Sequence, residues 1–147
     1  MNFKQFLEEG RDAPLYHATE FNQAFWIVAT DQIKPLTVSK GPAGTSLTRD
    51  IRFAKSWHKN GVIFEFSQRK LSQRYKIEPV NYYASDKNTS NKAEREEFLI
   101  GKVRPMRKYI NRIIINSKYI DQYDKWHFKD FLKILDDDKI RYEYEKF

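Results

Sequence analysis

AEREEFLIGKVRPMRKYI, Ala93 to Ile110, crowds three carboxylates (Glu94, Glu96 and Glu97) at the mouth of an apolar run and follows that run at once with cations. The run Phe98-Leu99-Ile100 is short and apolar, which predicts a buried strand. On a strand, Glu97 shares a face with Leu99, and Glu96 shares a face with Phe98 and Ile100. Both faces are apolar, so alternation leaves open which carboxylate enters a cleft. A carboxylate entering a buried strand is costly without a partner or a function. Two readings stand: Glu97 pairs with Lys102, Arg95 or a distant arginine, or it takes part in catalysis.

Downstream, NRIIIN is β-branched and strand-like. Phe128, Phe131, Leu132 and Leu135 recur at i, i+3, i+4 and i+7, the pattern of an amphipathic helix. The Asp136-Asp137-Asp138 run ends that helix. In KIRYEYEKF, Ile140, Tyr142 and Tyr144 alternate with Arg141, Glu143 and Glu145, which predicts a half-buried strand with one wet face.

Upstream, ASDKNTSNKA reads as a polar loop and YKIEPVNYY as extended. Ser67 caps a helical turn over QRKLSQ, and GVIFEF reads as a buried strand. Asp50 caps a helix over IRFAKSWHK, with Phe53 and Trp57 four apart on one face. TSLT is a short strand, and Pro35, Gly41, Pro42 and Gly44 mark the preceding segment as a loop. EFNQAFWIVAT reads as a helix, APLYHAT as a strand after Pro14, and MNFKQFLEE as a short helix ended by Gly10. Short strands and helices in no regular βαβ rhythm point to an α+β fold. The 147 residues contain no repeat and no dividing linker, so residues 1–147 are expected to form a single domain.

Composition narrows the class. Hydrophobic residues make up 40% and aromatics 16%, enough for one core despite 32% charge. The net charge of +7 favours anionic partners such as nucleic acid, nucleotides or acidic protein surfaces. Cysteine is absent, which excludes disulfides, thiolate metal sites and a cysteine nucleophile. No apolar run reaches signal-peptide or membrane-span length, so the expected location is the cytoplasm, with no membrane partner.

Few motifs carry chemistry. His17, His58 and His127 lie at no metal-ligand spacing, and DDDK lacks the spacing of a calcium loop, so no metal is expected. GPAGTS lacks the lysine of a phosphate loop. His17, in LYHAT, is open to two readings, a hydrogen-bonded core residue or a ligand contact. Phe53 and Trp57 are open to two as well, core or stacking platform. The cations Lys102, Arg104, Arg107, Lys108 and Arg112 form either a solvated face or a nucleic-acid track with Tyr82, Tyr83 and Tyr109 as stacking partners.

Three segments, in order, resemble the ADP-ribosyltransferase superfamily. LYHAT resembles the L-[WY]-H-G-[ST] strand of its histidine-tyrosine-glutamate branch, which includes the poly-ADP-ribose polymerases. GTSLTRDIRFAKSW resembles that branch's G-[IV]-Y-[FL]-[AS] strand and following helix. Its Ser46-Leu47-Thr48 equally resembles the S-T-S strand of the arginine-serine-glutamate branch. EFLIGKVRPMRKYI resembles the catalytic strand E-Y-[IV]-[VI]-x-x-x-x-Q-[VI] and a K-Y-[LI] strand, the latter matched by Lys108-Tyr109-Ile110. The pattern runs from about residue 14 to residue 116. Short members of this kind occur among phage and toxin proteins.

The resemblance implies a split β-sheet core with peripheral helices and NAD⁺ as co-substrate. It implies transfer of ADP-ribose to a protein or nucleic-acid acceptor, with release of nicotinamide. Glu97 then takes the catalytic position. Sliding the frame to Glu94-Arg95-Glu96 moves catalysis to Glu96. His17, Ala18 and Thr19 become NAD⁺ contacts, and Ser46 and Thr48 buttress Glu97. Trp57 or Phe53 stacks on nicotinamide, and loops 36–44 and 83–92 flank the cleft. The sequence departs from the family at Ala18, where the family has glycine. It also has Arg95 where many members have Gln or Glu, and no tyrosine in the helix after Thr48. An RNA 2′-phosphotransferase, or a binding module that has lost catalysis, is the alternative on the same fold.

Overall fold

The computed structural model describes residues 13–35, 43–57, 61–79 and 96–147. The expected helix over MNFKQFLEE, the loop ASDKNTSNKA and most of loops 36–44 and 83–92 lie outside these residues, as do His58, Tyr82 and Tyr83.

The apolar runs become strands. These are β1 (Leu15–Thr19), β2 (Gly44–Thr48), β3 (Val62–Phe66), β4 (Lys76–Pro79), β5 (Glu96–Ile100), β6 (Ile110–Asn116) and β7 (Tyr142–Glu145). They form one seven-stranded sheet in the order β4-β5-β2-β1-β3-β6-β7. Every pairing is antiparallel except β6 with β7. The central β3 and β6 are buried on both faces, which is why VIFEF and IIIN read as continuous apolar runs rather than alternating ones.

Among the described residues four α-helices accompany the sheet: α1 (Phe21–Thr30), α2 (Ile51–Trp57), α3 (Gln68–Ser72) and α4 (Lys125–Asp137). Phe21, Ala24, Ile27 and Val28 of α1 join Phe131 and Leu135 of α4 over Leu15, Phe64, Phe66, Ile113 and Ile115. Phe21 anchors this layer, stacked on Tyr123 at 4.3 Å and meeting Phe131 edge-on. On the opposite sheet face, Ala54 of α2 packs with Tyr16, Ile63 and Ile114. The expected caps are present: Asp50 accepts from the Arg52 amide at 2.9 Å, and Ser67 accepts from the Lys70 amide at 3.3 Å.

The chain is thus α+β, as expected. Two local expectations are corrected. Lys108-Tyr109-Ile110 is not a strand, since Met106–Lys108 form a 3-10 turn and β6 begins at Ile110. Asp31 holds that turn, its carbonyl accepting from the Met106 amide and its carboxylate from the Arg107 amide, both at 2.9 Å. In the last strand the tyrosines do not form a buried face: Ile140 is buried ahead of β7, while Tyr144 is 48% exposed. β7 is the outer strand of the sheet, so its pleat lacks the two-sided cover that β6 receives.

The decisive feature lies between β1 and β2. β1 pairs with β3 along its full length, from Leu15↔Phe66 to Thr19↔Val62. With β2 its ladder carries the pair Tyr16↔Thr48. Beyond that pair the two strands part, toward Thr19 on one side and Gly44 on the other.

Candidate functional site

A cavity of about 610 Å³ fills the interval where β1 and β2 part. Such a volume suits a small-molecule or nucleotide ligand. Its walls come from Tyr16–Thr19 of β1, from β2, from one flank of α1, from the Gln32–Lys34 segment and from Trp57. The Gln32–Lys34 wall is fixed by an isolated bridge, the Ile33 amide donating to the Val103 carbonyl at 3.0 Å.

His17 sits at the waist. Its Nδ1 lies 3.0 Å from the Ser46 carbonyl oxygen. A carbonyl only accepts, so Nδ1 carries the proton in this contact, and the bond fixes the ring's orientation across the gap between the strands. Tyr16 also lines the wall, and its hydroxyl is set beside Glu65 and Arg112. Burial, followed by the nearby Glu65 charge, pushes that hydroxyl above its ordinary value, so it stays a neutral donor at physiological pH.

Of the residues expected to contact NAD⁺, His17, Ala18, Thr19, Ser46, Thr48 and Trp57 all line this one cavity. Phe53 does not: it is half-buried on α2, one turn before Trp57, outside the cavity wall. Glu97 does not line it either. It lies on β5, 7% exposed, with Oε1 2.8 Å from Nε of Arg49. This is the distant-arginine pairing that the sequence left open beside catalysis.

Ser46 and Thr48 do not buttress Glu97. The register sets Leu47 opposite Glu97, Ser46 opposite Phe98 and Thr48 opposite Glu96. Side chains alternate along β2, so the two hydroxyls belong to the face of Phe98, while Glu97 shares the face of Thr45, Leu47 and Leu99. Thr48 Oγ1 instead accepts from the Asp50 amide at 3.1 Å, within the turn into α2.

Several wall residues escaped the sequence reading. Gln23, Trp26 and Thr30 line the cavity at spacings of three and four along α1. Trp26 is 59% exposed. A tryptophan on the flank of a helix whose opposite face is Phe21, Ala24 and Val28 was the available signal. Lys34 is the single Lys or Arg among the described lining residues.

Of the five cations from Lys102 to Arg112, two are committed to ion pairs. Arg107 reaches Asp31 and Asp138, each at 3.4 Å, and Arg112 bridges Glu65 at 2.9 Å and Glu143 at 2.7 Å. Tyr109 is 2% exposed, so it cannot stack a base as the nucleic-acid reading required. Among the described residues, no three His, Asp or Glu side chains gather as a metal site would need. No helix among them is long and apolar enough to cross a membrane. The sequence matches no family model and no curated protein.

Proposed function

We propose that the protein is an NAD⁺-dependent mono-ADP-ribosyltransferase, acting on a protein or nucleic-acid acceptor. The observation that supports the reading is convergence: the three segments chosen by resemblance lie on neighbouring strands β1, β2 and β5, and six of the residues expected from the first two to contact NAD⁺ line a single cavity.

In this reading NAD⁺ enters the gap between β1 and β2. The C–N bond between nicotinamide and ribose breaks, its electrons leave with nicotinamide, and the sugar passes through an oxocarbenium-like state. An acceptor oxygen or nitrogen then bonds to the sugar carbon and loses its proton. His17, oriented by the Ser46 carbonyl, holds the adenosine-side ribose or the diphosphate end. Trp57 stacks on the cationic nicotinamide, an interaction of roughly 0.5–2 kcal/mol. The resemblance assigns to Glu97, one strand beyond the cavity wall, the stabilisation of the developing positive charge.

A second reading has a specific observation behind it. Glu97 stands outside the cavity wall and is tied to Arg49, which favours a nucleotide-binding module without transfer. The RNA 2′-phosphotransferase alternative is weaker, since a phosphate pocket needs several cations and the described wall supplies Lys34 alone.

Nicotinamide release from NAD⁺ decides among these, measured with lysate as acceptor source, for the native chain, Glu97→Gln and Glu96→Gln. Loss in Glu97→Gln alone is the expected result. Loss in Glu96→Gln alone keeps the function and moves the catalytic carboxylate to position 96. No release from the native chain, with NAD⁺ still bound, leaves the binding module.

A further inference from the structure

Trp26 and Trp57 belong to helices on opposite faces of the sheet. The apolar residues of α1 pack with Leu15, Phe64 and Phe66, whereas Ala54 of α2 packs with Tyr16 and Ile63, the alternate residues of the same strands. Both indoles nevertheless line the same cavity. The wall of the cavity therefore draws on helices from both faces of the sheet, with one indole contributed from each. Both rings are open to a ligand, at 59% and 44% exposure. Exposed indoles gain nothing for the core, and a flat, accessible ring is what a heteroaromatic base stacks on.

We infer that Trp26 is the adenine platform of the site, so that NAD⁺ is held extended between two indoles, adenine on Trp26 and nicotinamide on Trp57. This rests on the transferase reading, which assigns nicotinamide to Trp57, and adds the subsite at the other end. Three features of the Trp26 side fit adenosine diphosphate. Phe25 meets the indole edge-on at 5.4 Å and steadies it. Gln23 and Gln32 bring amides that both donate and accept, as an adenine edge requires. Lys34 brings the wall's cation, and no Asp or Glu stands among the described lining residues to oppose a diphosphate.

Calorimetric titration of the full chain with ADP-ribose, AMP and NAD⁺ tests the assignment. ADP-ribose and AMP carry the adenine end without nicotinamide. Trp26→Leu, which keeps apolar bulk and removes the ring, is expected to weaken ADP-ribose and AMP about five- to thirtyfold. Trp26→Phe is expected to recover most of that loss, which a merely structural role for the indole does not predict. Trp57→Leu is expected to weaken NAD⁺ while leaving ADP-ribose and AMP unchanged. If Trp26→Leu binds ADP-ribose within about twofold of the native chain, or if Trp57→Leu takes the loss instead, the platform assignment is wrong and the transferase reading stands. If the native chain binds neither NAD⁺ nor ADP-ribose, the reading itself fails and the assignment goes with it.

Discussion

Arg49 Nε lies 2.8 Å from Oε1 of Glu97, joining the residue just after β2 to the one carboxylate of β5 that is buried among the described side chains. Arg49 stands two residues beyond Leu47, which is Glu97's register partner, so the pair spans the two strands on one face. A buried carboxylate without its cation loses far more than a surface pair would. Arg49→Ala is therefore expected to destabilise the chain by about 1–3 kcal/mol in urea unfolding. Glu97→Gln is expected to lose less, because it leaves no uncompensated buried carboxylate and keeps a polar oxygen facing the guanidinium. The double variant tests the contact: its loss should fall short of the sum of the single losses. Full additivity would mean that the pair is not coupled in solution.

Gly44 opens β2 at the cavity's edge. A Cβ there would stand 2.3 Å from the Leu99 carbonyl oxygen and 2.6 Å from the Phe98 ring. The first neighbour is backbone in a paired strand and cannot step aside without breaking the β2–β5 ladder. Gly44→Ala is expected to cost about 2 kcal/mol or more and to weaken ligand binding as β2 shifts. An unchanged thermal midpoint would show that β5 is free to move away.

Much of this fold was legible because its signals are local. VIFEF, IIIN and the 128–135 helix announce themselves through run length and period, and Ser67 and Asp50 through cap chemistry. The turn at Met106–Lys108 was not legible, because Asp31, 76 residues from Arg107 in sequence, supplies the bonds that hold it. The site divided in the same way. His17, Ser46 and Trp57 could be marked from short patterns, but the face of Glu97 depends on the β2–β5 register, and single-sequence alternation with two apolar faces carries no register information. Trp26 escaped because its place in the cavity wall depends on β1 and β2 parting, a property of the sheet rather than of α1.

Arg112 ties three strands together, donating to Glu65 of β3 and to Glu143 of β7 from its place on β6. Desolvation pushes the Glu143 carboxyl upward, but the Arg112 and Arg141 guanidiniums outweigh it and hold it below its ordinary value. A depressed folded value means that its contribution is present above the unfolded carboxylate range and fades as pH falls through the depressed value. Arg112→Met is expected to lower the thermal midpoint at neutral pH by about 3–6 °C and to flatten the midpoint's acid dependence. A variant with the native acid profile would place that dependence elsewhere.

Tyr123 gives the opposite pH signature. It stacks on Phe21 with rings 14° from parallel, and its hydroxyl donates to the Gly61 carbonyl at 3.4 Å. Burial raises its ionisation from 10.0 to about 12. A raised value for an acid means that the fold prefers the neutral phenol. The contribution is complete below the unfolded value and is lost as pH climbs from there toward the folded one. Stability should therefore fall in the alkaline range before the buried phenol itself titrates. Burial also raises Tyr16, Tyr142 and Tyr144, so some alkaline sensitivity persists without Tyr123. Tyr123→Phe keeps the stack and gives up the long hydrogen bond to Gly61, for about 1 kcal/mol or less at neutral pH. Tyrosinate absorbance should then lose its highest-titrating component, and the variant's stability should decline less steeply above pH 10. If native and variant chains decline in parallel, the ring at position 123 is reached by solvent and its ionisation is not coupled to the fold.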